Sequence, residues 1–152
     1  MSKKNPTLDA LVPLYIVSLS EGCLKGRTRL QKIIFLVQDK LAKIVDYEFQ
    51  KAYYGPYSYK LCSIVDELAS LGVLEEVVET TASGHDMICY RMTKSGQALL
   101  RHWLNQNMLS QRAQKGIDNI FDEYGRIPLP LLVRRVYREY PEWTEKSALL
   151  SP

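Results

Sequence analysis

Apolar residues recur at the three- and four-residue spacing of an amphipathic helix in three segments of the N-terminal half. The first segment is Leu8–Leu19, where Pro13 must lie near the helix start or bend the helix. A turn, Glu21–Gly26, separates it from Leu30–Leu41, which is apolar over most of its circumference. Such a helix is packed on several sides, so we predict that it lies at the centre of the fold. Leu61–Leu71 is the third segment.

The apolar spacing changes from helical to strand-like after the third segment. Gly72 can take the left-handed conformation that ends a helix. Two β-type runs follow, Val73–Thr80 and Met87–Met92, joined by a polar turn that contains Gly84. Thr93 is placed to cap a new helix. A helix, two strands and a helix in this order predict the back half of a winged helix-turn-helix.

Further elements lie between and after these segments. Glu48–Tyr54 has strand-like character and ends at Gly55-Pro56, which predicts a firm break. The helix that Thr93 opens continues through Leu104, and Ile117–Tyr124 is either a further helix or its extension. A last helix has Pro128 and Pro130 in its first turn and closes at Pro141. The predicted fold is therefore mainly α with a small β-sheet, a winged helix-turn-helix with additional C-terminal helices.

Length and composition support one domain over residues 1–152, with a winged-helix core at about 8–96 and a helical extension at 97–152. The content of 46% hydrophobic and 24% charged residues is that of an ordinary globular protein. No apolar run is long enough to span a membrane. The basic start leads into an amphipathic segment rather than a signal peptide, so we expect a cytoplasmic protein.

The sequence offers little for metal, redox or catalytic chemistry. Cys23, Cys62 and Cys89 are widely spaced, and we expect them to be reduced and buried, with no metal and no cofactor. A redox or metal role would require Cys89 to meet Cys62 or His85 in space. Neither His85 nor His102 has a serine or cysteine nearby in the arrangement of a nucleophile and its base. We therefore expect a binding protein that is not an enzyme.

Four segments carry a resemblance to known families. Gly26–Gln38 contains Leu-Gln-Lys at the opening of a buried helix, and Tyr53–Ser58 reads Tyr-Tyr-Gly-Pro-Tyr-Ser. Together with Tyr137–Trp143, they resemble the uncharacterised YwgA-like proteins of bacteria and archaea. The order of the Leu-Gln-Lys and Tyr-Gly-Pro elements is similar, more distantly, to the Panacea-type antitoxin domain. Leu68–Gly96 resembles the back half of MarR- and PadR-like regulators.

Two interpretations of the Tyr-Gly-Pro motif remain open. Gln31 and Lys32 could reach backbone carbonyls of the turn from the neighbouring helix and hold the third helix at its angle. The structural motif would then consist of Gln31, Tyr54, Gly55 and Pro56. Alternatively, the start of the third helix faces a ligand, because in winged-helix proteins this helix start enters the major groove of DNA.

The charge of the chain permits DNA binding without requiring it. Residues 1–72 carry ten Lys and Arg against seven Asp and Glu, and the net charge of the chain is +3. The wing carries Glu75, Glu76 and Glu79 with Arg91, although DNA-binding wings are usually basic because phosphate contacts supply most non-specific affinity. The predicted DNA-binding residues are Lys25, Arg27, Arg29, Lys32, Lys51, Tyr57, Ser58, Lys60 and Ser63. A solvated basic helix start is the alternative explanation.

The apolar residues after the wing exceed what a small DNA-binding core requires. They predict either a homodimer or helices that pack back on their own domain. The predicted interface residues are Trp103, Leu104, Ile117, Phe121 and Tyr137. The function expected from these features is that of a transcriptional regulator that binds double-stranded DNA. The alternative is a protein-interaction module, such as an antitoxin that neutralises a toxin, because the charge of the third helix is mixed. A mixed or apolar outer face on this helix would favour a protein partner.

Overall fold

A computed structural model describes residues 5–146, which form six α-helices and five short β-strands. The predicted class, mainly α with a small β component, is confirmed. The helices are α1 (Pro6–Leu19), α2 (Arg27–Lys40), α3 (Tyr59–Ser70), α4 (Lys94–Asn105), α5 (Gln111–Ile120) and α6 (Leu129–Glu139). The strands are β1 (Leu24–Lys25), β2 (Gln50–Ala52), β3 (Gly55–Tyr57), β4 (Leu74–Thr80) and β5 (Asp86–Met92). No helix within residues 5–146 is long and apolar enough to cross a membrane.

Short polar side chains set the start of four helices. Asn5, Ser58, Thr93 and Ser110 each accept a hydrogen bond from the backbone N–H three residues later. Each bond satisfies one of the N–H groups that the first helical turn leaves without a partner. The cap predicted at Thr93 is confirmed, as is the left-handed conformation at Gly72, whose φ is 78°.

The strands form two antiparallel sheets, and their positions differ in part from those predicted. The larger has the order β1-β5-β4, with Leu24 opposite Tyr90 at one edge. The turn predicted at Glu21–Gly26 is wrong in part, because it contains β1, whose two residues are too few to show a strand period. The smaller sheet pairs β2 with β3, with Ala52 opposite Gly55.

The break predicted at Gly55-Pro56 is also corrected by this pairing. The chain reverses one step earlier, at Tyr53-Tyr54, and Gly55-Pro56 belongs to strand β3. Proline is tolerated there because β3 has a partner strand on one side only. The strand is therefore the immediate lead into α3.

The core forms around α2, as its apolar circumference predicts, and the C-terminal helices complete it. Ile33, Ile34 and Leu36 of α2 are fully buried. Ile117, Phe121 and Tyr137 are also buried in the chain itself, and Trp103 and Leu104 pack against the same core while remaining half-buried. The first three side chains are therefore not accessible to a second copy, which corrects their assignment to a dimer interface. Their apolar area is used to cover α2.

The expectation of three separate reduced cysteines is wrong. Cys23 and Cys89 form a disulfide, with 5.7 Å between their Cα atoms, and Cys62 is free. The pairing of β1 with β5 places Lys25 opposite Cys89 and so brings the preceding turn against β5. The sequence does not reveal this contact because the two cysteines are 66 residues apart.

Gly55 provides a stability test of the β3 strand. Its φ is 95°, and a Cβ atom added there would lie 2.8 Å from Cε1 of Tyr137. We expect Gly55→Ala to lower the free energy of unfolding by about 2–4 kcal/mol, because backbone strain and overpacking add. Gly84→Ala is the control: its φ is 84° but nothing lies within 4 Å of the added atom. It should cost about 1 kcal/mol. If urea unfolding shows the same loss of unfolding free energy for both variants, the contact with Tyr137 is unimportant.

Candidate recognition surface

A carboxamide of α2 holds the junction between β3 and α3. Nε2 of Gln31 donates to the carbonyl of Ser58 at 2.9 Å, and Oε1 of Gln31 accepts from the Ser58 N–H at 2.8 Å. Both residues are buried. A buried backbone group without a partner costs about 1–3 kcal/mol, so this paired contact specifies where α3 begins.

Lys32 makes the second contact with the same junction. Its side chain is 1% exposed, and Nζ donates to the carbonyl of Pro56 at 3.0 Å. Burial lowers the pKa of this amine to about 7, because the charged form loses its hydration. Gln31 and Lys32 therefore form the predicted structural contact, and Lys32 and Ser58 are too buried to reach DNA. Tyr54 belongs to the exposed hairpin turn and not to this contact.

Most of the other predicted DNA-binding cations are also engaged within the chain. Arg29 donates to the carbonyls of Lys25, Gly125 and Ile127 and so connects α2 to the segment before α6. Lys51 lies 2.9 Å from a carboxylate oxygen of Glu145. The three carbonyl contacts of Arg29 correct its assignment as a DNA contact, whereas the ion pair of Lys51 lies at the surface and leaves its predicted role open.

Lys60 is held on the side of α3 that faces α1. Its Nζ lies 2.7 Å from Oδ2 of Asp9, a carboxylate that is 3% exposed, and also donates to the carbonyl of Asp46. The ring of Tyr47 lies beneath the ammonium group, and the Tyr47 hydroxyl donates to the Asp9 carbonyl. Removal of Lys60 would leave a buried carboxylate unpaired, so its position is explained by stability.

Three of the predicted contact residues are open to solvent. Lys25, Arg27 and Ser63 are exposed, and Arg27 has its guanidinium 3.9 Å from a carboxylate oxygen of Glu76. On β4, Glu75 pairs with Arg91 at 2.8 Å. Arg27 and Tyr57 line one small pocket beside α3, together with Cys62 and Asp66. The structure thus brings some of the nine predicted residues together, but the buried and paired cations among them do not form a continuous positive strip.

An exposed group of aromatic side chains lies beside the α3 start. We call Tyr53, Tyr54, Tyr57 and Tyr59 the tyrosine face; together they line a cavity of about 290 Å³. Tyr53, Tyr54 and Tyr59 are 72%, 49% and 64% exposed. The rings of Tyr57 and Tyr59 meet edge to face at 5.3 Å, and the Tyr57 hydroxyl donates to Sγ of Cys62. Tyr57 is one of the predicted contact residues, and Tyr54 is part of the predicted structural motif. Tyr53 and Tyr59 are not among the predicted site residues, although the density of tyrosines in residues 53–59 is a visible signal.

The outer face of α3 continues from the tyrosine face. Ser63, Asp66, Glu67 and Ser70 are exposed and recur at helical spacing after Tyr59. Lys60, the one cation of this helix, is turned toward Asp9. The combined surface is therefore aromatic at one end and acidic along the helix, with the exposed Arg27 of α2 at its edge beside Tyr57 and Asp66.

One group of residues within 5–146 brings metal-ligating atoms together. Sγ of Cys23, Sγ of Cys89 and a carboxylate oxygen of Glu79 lie within 4.8 Å of one another. The two sulfur atoms are bonded to each other in the disulfide and are therefore not available as thiolate ligands.

Comparison with known proteins gives one informative likeness. No family model matches the chain. The chain is 38% identical over 85 residues to uncharacterized protein YwgA of Bacillus subtilis (strain 168). This match covers 53% of the chain and 48% of the relative, so the chain spans about half the length of the curated relative that it matches. The likeness supports a relation to an uncharacterised YwgA-like family and assigns no activity.

The buried amine of Lys32 predicts a pH dependence of stability. Since its pKa is about 7 in the folded protein and about 10.4 in an unfolded chain, the unfolded state binds more protons between these values. We expect the free energy of unfolding to rise with pH in this window, by up to about 1.4 kcal/mol per pH unit. Urea unfolding between about pH 7.5 and 8.5 stays below the range where the tyrosines of the unfolded chain titrate.

Lys32→Met should remove this slope, whatever its effect on stability at one pH. Lys94→Met, at an exposed position on α4, is the control and should keep the slope. If Lys32→Met retains the full wild-type slope, Lys32 is not the group responsible.

Proposed function

We propose that this chain is a protein-interaction module without catalytic activity, and that the tyrosine face and the outer face of α3 bind a positively charged segment of a partner protein. The observation that carries the proposal is the character of the α3 surface. It is aromatic and acidic at the position where a DNA-reading helix would be basic.

We further propose that the scaffold is a winged helix. The order α1-β1-α2-α3-β4-β5, with the sheet order β1-β5-β4, supports this assignment. In it, β4 and β5 form the wing and α3 occupies the position of the recognition helix. The β2–β3 hairpin is an addition between α2 and α3, and it carries three of the four residues of the tyrosine face.

Charge argues for a protein partner over a duplex. A protein that binds DNA gains most of its non-specific affinity by neutralising phosphates with Lys and Arg. Here Arg29, Lys32 and Lys60 are committed to contacts within the chain. Asp66 and Glu67 on α3 would repel a phosphate backbone, and so would the glutamates of the proposed wing.

The same surface suits arginine and lysine side chains of a protein. Exposed tyrosine rings attract guanidinium groups through cation–π contacts and lose little conformational entropy on binding. Asp66 and Glu67 add charge complementarity, which increases the rate of association and selects against acidic partners. An antitoxin that neutralises a basic toxin would be one protein of this class.

A labelled poly-arginine peptide is the direct probe, with a poly-glutamate peptide and a short DNA duplex measured in parallel by fluorescence anisotropy at low salt. Of the three probes, we expect only poly-arginine to show saturable binding. Tyr59→Ala should weaken it about 2–5-fold, the size of an exposed cation–π contact. Asp66→Asn combined with Glu67→Gln should weaken it about tenfold.

Val78→Ala and Glu21→Gln are matched controls at exposed positions outside this surface, and both should bind as the wild type does. Poly-arginine binding that Tyr59→Ala and the Asp66 and Glu67 changes leave intact would contradict the proposal. Tight duplex binding that Arg27→Ala weakens would establish the DNA interpretation instead.

A further inference from the structure

A second cavity, separate from the tyrosine face, lies between the end of α2 and the start of α5. Its volume is about 720 Å³. It is lined by Leu8 of α1, by residues 40–44 at and after the end of α2, and by parts of residues 108–119. Ligand cavities in proteins typically measure about 300–1,000 Å³, so this one is large enough for a small molecule.

The charged side chains that line this cavity are all positive. They are Lys40, Lys43, Arg112 and Lys115, and no aspartate or glutamate is among the lining residues. Lys40 lies 3.6 Å from a carboxylate oxygen of Glu139 and is partly neutralised. Lys43, Arg112 and Lys115 are exposed and form no ion pair within residues 5–146.

Some cations elsewhere in residues 5–146 also lack a carboxylate partner there, Lys94 and Arg101 of α4 among them, but many are paired. Arg27, Lys51, Lys60, Arg91 and Arg135 each have a carboxylate partner. Cations that line one cavity repel one another, and this repulsion is relieved when an anion enters. The cavity is thus a place where positive charge gathers without an internal counterion.

The remaining lining is largely apolar. Leu8, Leu41, Ile44 and Met108 contribute aliphatic surface, and Ala113 contributes a small side chain on the first turn of α5. Ser110 caps α5 at the cavity edge, and the N-terminal end of a helix adds a modest attraction for anions. A ligand that matches the cavity therefore has both a charged group and an apolar body.

We propose that this cavity binds a soluble phosphate monoester with an apolar body. A phosphate monoester carries close to two negative charges at neutral pH and so matches several cations better than a carboxylate does. Arg112 can bind two phosphate oxygens at once, while Lys43 and Lys115 act as point charges. The apolar body would lie against Leu41 and Ile44. This site is independent of the proposed protein-binding surface.

Isothermal titration calorimetry with hexyl phosphate, methyl phosphate, inorganic phosphate and hexanol separates the two parts of the proposal. We expect hexyl phosphate to bind about tenfold more tightly than methyl phosphate, because burial of even two methylene groups accounts for that ratio. Inorganic phosphate and hexanol should bind more weakly still. Binding of anionic phospholipid vesicles in place of hexyl phosphate would overturn the assignment to a soluble ligand.

The variant Arg112→Gln with Lys115→Gln should weaken hexyl phosphate binding by at least about tenfold, since two charge-assisted contacts are lost. Its melting temperature without ligand should equal or exceed that of the wild type, because like charges are removed from one cavity. Lys94→Gln with Arg101→Gln removes two exposed cations of α4 outside the cavity and is the matched control. The proposal would be overturned if hexyl phosphate showed no saturable binding to the wild type. It would also be overturned if both double variants weakened hexyl phosphate binding equally.

Discussion

Two side chains of α2 hold the backbone at the junction of β3 and α3, and much of the fold depends on this contact. Gln31 satisfies both backbone groups of Ser58, and Lys32 satisfies the carbonyl of Pro56. Because the junction is buried, no water can replace these partners, and an unsatisfied group would be costly. The contact sets the position of α3 against the central helix. It also places the β2–β3 hairpin, and with it the tyrosine face, at the start of α3.

The C-terminal helices complete the environment that makes this contact strong. Tyr137 of α6 packs against Gly55 so closely that an added Cβ atom would collide with its ring. Arg29 reaches the carbonyls of Gly125 and Ile127, which connects α2 to the segment before α6. The residues after the wing therefore belong to the same core as the N-terminal half. Their apolar surface shields the α2 contacts from water, which is the cause of the lowered pKa of Lys32.

The distribution of charge follows from these packing requirements and bears on function. Arg29 and Lys60, which are predicted from the sequence as DNA contacts, instead bind backbone carbonyls and a buried carboxylate. What remains on the outer side of α3 is aromatic and acidic, and this favours a protein partner in our proposal. Three cations without a carboxylate partner in residues 5–146 line the α2–α5 cavity instead. The two proposed sites thus have opposite electrostatic character and lie on different elements.

The sequence by itself determined the elements whose causes are local. Helical spacing located α1, α2 and α3, Thr93 marked the cap of α4, and Gly72 marked the end of α3. The hydrogen-bond partners of Gln31 and Lys32 could also be predicted from the sequence, because the Leu-Gln-Lys and Tyr-Gly-Pro elements are close in the chain. The tertiary structure alone decided the disulfide of Cys23 with Cys89, the commitment of Arg29, and the burial of Phe121 and Tyr137. These outcomes depend on contacts between residues 66 or more apart, or on which face of a helix is covered, and neither leaves a local pattern in the sequence.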